Sequence, residues 1–184
     1  VAHIEVNPAL PGISALLEFR PETAQPLMGL AEVLLRGPST LTRGERELIG
    51  AVVSRGNECV FCANSHAAVA SELLPGGGAL VDEVCEDWEN AGIGLKLKAL
   101  LTIAMATRES GGAVTAAAVE IAKGAGATDI EIHDTVLIAA AFCMFNRYVD
   151  GLATFAPEGQ EKYVPSAKRI VAEGYTRERS SVIP

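Results

Sequence analysis

Two tetrads, Thr42 to Glu45 and Thr128 to Glu131, set a threonine three residues ahead of a glutamate, and each is followed by apolar residues at helical spacing. The threonine hydroxyl can accept an amide of the first turn while the glutamate bonds back to the threonine amide, so the pattern specifies a helix start. After the first tetrad, Leu48, Ile49, Val52 and Val53 mark one face until Gly56 and Asn57 break it. After the second, Ile132, Val136, Ile138, Ala141, Phe145 and Val149 do the same until Gly151 or Ala156 and Pro157. Two such helices, both rich in small apolar residues, suggest an internally repeated motif.

Other segments read the same way. A short helix is expected from Ile13 to Phe19, and Pro21 opens another through Leu27, Leu30, Leu34 and Leu35. Further helices are expected at Glu58 to Leu74, ended by "PGGG", at Ala79 to Asn90, at Leu95 to Thr107 and at Thr115 to Lys123. No run of β-branched residues alternates with polar ones for long enough to make a sheet, so the predicted class is all-α, with about six to eight helices. The length of 184 residues favours one domain over 1–184, with an N-terminal arm at 1–20 and a C-terminal extension at 157–184.

Composition narrows the partners. Apolar residues make up 49% of the chain but aromatics only 5%, so the core must be built from Ala, Leu, Val and Ile, a mixture suited to packed helices. A formal charge of −8 gives no basis for binding nucleic acid or an anionic membrane surface. The longest apolar run, Val136 to Phe145, is far short of the roughly 20 residues that cross a bilayer. With no recognisable leader pattern, the expected location is the cytoplasm.

In that compartment, the two cysteines of "NECVFCANSH" are the main chemical signal. On a helix, Cys59, Cys62 and His66 share one stripe. Residues three apart on a helix have Cα atoms about 5 Å from one another, within reach of a disulfide. Near a helix start the amides and macrodipole favour a thiolate, and a histidine one turn on can take the proton. Cys62 with His66 is therefore the expected nucleophile and base, and Cys59, nearer the loop and expected to be more exposed, the resolving thiol. Glu47, twelve residues before Cys59 on the preceding helix, is the nearest carboxylate to orient the histidine, because Glu45 is committed to its cap.

Two plainer readings compete. A zinc site needs about four ligands, and only isolated His3, His133, Cys85 and Cys143 remain to add to the cluster. Inert core sulfur is the other, since free cysteine is commonly buried. Cys143 is expected to be such a core residue, and Cys85, among the carboxylates of "DEVCEDWE", a thiol of raised pKa. His133 is read as a surface or packing residue, and Asn146, Arg147 and Tyr148 as polar groups that line a pocket or contact or are satisfied structurally. Trp88 is read as one anchoring ring on a solvated face.

The stretch "ERELIGAVVSRGNECVFCANSH" resembles the active-site signature of the alkylhydroperoxidase AhpD and carboxymuconolactone decarboxylase superfamily: a Glu, eleven intervening residues, CxxC, three residues and His. Glu47, Cys59, Cys62 and His66 match it without insertion, and residues 12–42 and 128–155 are similar to its peroxidase-related branch, so that the likeness spans 12–156. The resemblance implies an AhpD-like helical bundle with a repeated helical motif, assembled as a symmetric homo-oligomer (trimer, hexamer or dimer). It implies reduction of a small hydroperoxide, with Cys62 oxidised, Cys59 resolving, and Glu47 and His66 relaying protons. The electrons would come from an external dithiol, such as a lipoyl protein or a peroxiredoxin system, and no cofactor or metal is expected. Phe61 departs from the pattern, standing where well-studied AhpD proteins carry a second histidine. The same resemblance admits a disulfide reductase or redox adaptor, or a non-catalytic assembly module. The dithiol argues against a lactone substrate, because the decarboxylase branch generally lacks it.

Overall fold

Thr42 and Thr128 both close their capping boxes. The Glu45 and Glu131 amides each donate to a threonine hydroxyl at 3.2 Å, and each glutamate carboxylate accepts a threonine amide at 2.8 Å. The structure, a computed structural model, describes residues 1–176. Among these residues there are nine α-helices and no strand: α1 Ile13–Phe19, α2 Pro21–Arg36, α3 Arg43–Gly56, α4 Val60–Leu73, α5 Gly77–Asp87, α6 Leu95–Glu109, α7 Ala116–Gly124, α8 Asp129–Gly151 and α9 Val164–Glu173. None is long and apolar enough to cross a membrane.

The helix α3 lies at the centre, with Leu48, Ile49, Ala51, Val52 and Val53 all buried. It packs most extensively on α4, which follows it after a three-residue turn, and also on α8 and α6. Leu100, Leu101 and Ile103 of α6 and Ile138 and Phe142 of α8 complete the interior. At a coefficient of about 25 cal/mol per Å², each such side chain contributes roughly 1.5–3 kcal/mol. Arg46, itself buried, ties α2 to α3 by donating to the carbonyls of Leu34 at 2.9 Å and Gly37 at 3.0 Å.

Two expectations are corrected. The helix carrying the cysteines starts at Val60, not Glu58, because Glu58 turns the chain through φ 61° and Cys59 becomes the N-cap. The count of six to eight helices is too low because α9 forms within the C-terminal extension. Pro165 sits in its first turn, and Ala167 and Ile170 pack with Tyr163 on Ala68 and Val69 of α4. That periodicity was present in the sequence, but ten residues give a weak signal. Of the extension, residues 177–184 lie outside the described residues.

At Gly50 the backbone of α3 lies close against α8, and an added Cβ would overlap the ring of fully buried Phe142. Gly50→Ala should therefore lower stability by about 1 kcal/mol or more, overpacking outweighing the roughly 1 kcal/mol returned by helix propensity. Urea unfolding monitored by circular dichroism measures it.

Candidate functional site

The close packing of α3 on α4 brings Glu47 to His66. Glu47 is 1% exposed, and its Oε2 accepts a hydrogen bond from His66 Nδ1 at 2.6 Å. A carboxylate oxygen accepts, so the bond fixes the tautomer with a proton on Nδ1 and leaves Nε2 as the other ring nitrogen. Phe142 meets the imidazole edge-on at 4.5 Å between ring centres.

Cys59, Cys62 and Val149 form a small buried cluster closed by Ile13 of the arm and by Phe61. Cys59 is 0% exposed and Cys62 4%, so Cys59 is not the more accessible thiol the sequence suggested. The turn at Glu58 folds it inward beneath α1 and the end of α8, instead of leaving it at a helix mouth. Both sulfurs are free thiols, and their side chains hydrogen-bond to each other.

The sharing of that bond separates the two thiols. The hydrogen bond from Cys59 pulls the Cys62 pKa below the ordinary thiol value; burial opposes this, and the charge of His66 and a hydrogen bond from Asn146 assist it. Cys59 moves the other way, held protonated by its donation to Cys62 and by burial, with Asp150 adding to the effect. A thiolate therefore forms more readily at Cys62 than at Cys59.

Asn146 is one of the polar groups of α8 expected to line a pocket or contact or to be satisfied structurally. It is buried, donates to Ser54 Oγ at 3.0 Å and accepts from Asn57 Nδ2 at 2.8 Å. With Asn57, Arg147, Asp150 and Gly151 it lines a cavity of about 320 Å³. Sequence reasoning missed Tyr175 altogether. Its hydroxyl donates to Glu47 Oε1 at 2.6 Å, and burial together with the Glu47 carboxylate pushes its pKa well above the phenol range. The nearest signal was its place just after the short periodic stretch of α9.

The other candidates fall away from this cluster. Cys85 is pushed up to about 11, as expected in direction, but burial is the main cause; Asp82 adds to it and Arg55 opposes it. Cys143 is half-buried and accepts a hydrogen bond from Asn57 at 3.5 Å. His133 is exposed beside Asp134, and His3 lies on the Gly151 carbonyl. Phe61 packs on the Tyr163 ring and over Gly12, whose φ of 51° and missing Cβ make room for it. It serves as a packing residue between the arm and α9.

Iodoacetamide at pH 7 should modify Cys62 ahead of the other three thiols. Glu47→Gln should slow that modification about tenfold or more, since a hydrogen bond to a charged group is worth roughly 1.5–3 kcal/mol. Peptide mapping by mass spectrometry reads both.

The arrangement of helices is shared with solved structures. A peroxidase-related protein from Ralstonia eutropha JMP134, described as an alkylhydroperoxidase AhpD core, superposes with a TM-score of 0.76 at 24% identity, covering 84% of this chain and 80% of that one. An uncharacterized peroxidase-related protein from Silicibacter sp. TM1040 gives 0.75 at 24% identity, covering 84% and 78%. A protein of unknown function from Agrobacterium tumefaciens, provisionally assigned to AhpD antioxidant defence, gives 0.66 at 20% identity, covering 78% and 97%. These likenesses establish an AhpD-like all-α fold. No curated protein sequence matches significantly. The profile of the carboxymuconolactone decarboxylase family matches residues 21–73 and 76–156, well over half the length, and the chain belongs to that family.

Proposed function

We propose that the protein is a thiol-dependent hydroperoxide reductase. The observation that carries the reading is the 2.6 Å bond between buried Glu47 and His66 beside a cysteine whose pKa is lowered. A core-packing role for Cys62 would need neither the carboxylate nor the imidazole.

The Cys62 thiolate attacks one oxygen of the peroxide, the O–O bond breaks, and Cys62 becomes a sulfenic acid. The departing alkoxide or hydroxide takes a proton from His66 Nε2, whose positive charge Glu47 has stabilised. The Cys59 sulfur then attacks the sulfenic sulfur, its proton and the sulfenic hydroxyl leave as water, and a disulfide remains. An external dithiol restores both thiols and is itself oxidised to a disulfide. The polar cavity of Asn57, Asn146 and Asp150 offers the approach for a small peroxide, and Asn146, which favours negative charge on Cys62, borders it.

This reading draws support from the peroxidase-related names of the similar structures and from the dithiol, which a lactone decarboxylase does not need. It keeps Cys59 as resolving thiol despite its burial, because resolution requires contact with Cys62 and not with solvent.

One equivalent of hydroperoxide should remove two mass units from the peptide holding Cys59 and Cys62. Cys62→Ser should abolish peroxide consumption, whereas Cys59→Ser should leave a sulfenic acid that dimedone traps. Oxidation scattered over all four thiols would sink the proposal.

A further inference from the structure

Tyr175 takes no part in the sulfur chemistry, yet its hydroxyl is committed to the relay. Glu47 holds His66 through Oε2, and its other oxygen, Oε1, accepts the Tyr175 hydroxyl at 2.6 Å. That hydroxyl lies 3.3 Å from His66 Nδ1, and the phenol ring stacks on the imidazole with centres 6.0 Å apart and planes 22° from parallel.

The tyrosine is held in place from the far side. Its backbone amide donates to Glu32 Oε2 at 2.7 Å, and Glu32 is paired with Arg36 at 2.9 Å. Arg36 in turn donates to the carbonyls of Ile170 and Val171, at 2.9 and 3.1 Å. One turn of α2 therefore clamps the end of α9 and fixes the backbone from which Tyr175 enters the site.

We propose that Tyr175 is a positioning residue of the dithiol site: by donating its hydroxyl to Glu47 it orients the carboxylate toward His66 and sets the pH range over which Cys62 reacts. The inference builds on the reading of Cys62 as the reactive thiol. The direction follows from the dipole. A donor aimed into the cluster favours negative charge there, so losing it moves the ionisation of Cys62 toward higher pH. A residue that merely fills space would change the rate of reaction but not its midpoint.

The test is the pH profile of Cys62 alkylation by iodoacetamide in the full chain. Tyr175→Phe keeps the ring and should move the midpoint upward by about one pH unit, the order expected for a hydrogen bond to a charged group. In a Glu47→Gln background the same change should produce less than half that shift, since the acceptor charge is gone. A Tyr175→Phe profile superimposable on the wild type, or a shift undiminished in Glu47→Gln, overturns the proposal. Should Tyr175→Phe not fold, Glu32→Ala decides, because it frees the tyrosine backbone without touching the sulfurs. A shift in the same direction supports the role, and an unmoved midpoint overturns it. Because alkylation is read instead of peroxide consumption, a failure of the peroxidase reading would appear separately, as a wild-type protein that alkylates at Cys62 but consumes no peroxide.

Discussion

A carboxyl group sealed from water is costly unless its oxygens have partners, and at Glu47 both do: the imidazole of His66 on one and the phenol of Tyr175 on the other. Those donors come from different parts of the chain, His66 from α4 and Tyr175 from the segment after α9. Both oxygens are satisfied only where α3, α4 and the C-terminal segment meet. Much of the local architecture answers to that requirement, including the capped start of α3, its dense packing on α4 and the Glu32 and Arg36 clamp on the chain that carries the tyrosine.

The two cysteines show how closely similar groups can be given opposite characters. They lie three residues apart and both are buried, yet one donates its hydrogen and the other receives it. The imidazole and Asn146 favour negative charge on Cys62, while Asp150 discourages it at both sulfurs. Burial, which raises any thiol pKa, is overcome at one sulfur only because several dipoles and a charge converge on it.

The sequence was most informative where the physics is local. Capping boxes and helical periodicity are set by residues within four positions of one another, so α3 and α8 were readable from Thr42, Glu45, Thr128 and Glu131 alone. The pairing of Glu47 with His66 was legible for a related reason, since a short turn between consecutive helices leaves few ways to pack them. The burial of Cys59 was not legible, because it depends on a left-handed turn at Glu58, a residue with no special preference for that conformation. Nor could the entry of Tyr175 be read. Its contact with Glu47 spans 128 positions and relies on a clamp between α2 and α9 that no local pattern announces.

The ring of Phe142 fills the notch left by Gly50 and also presses edge-on against His66. Interior volume and imidazole packing therefore meet at one ring, so a side chain added at Gly50 presses on the residue that contacts the histidine. A substitution there that looks neutral by hydrophobicity can still disturb the packing around the imidazole.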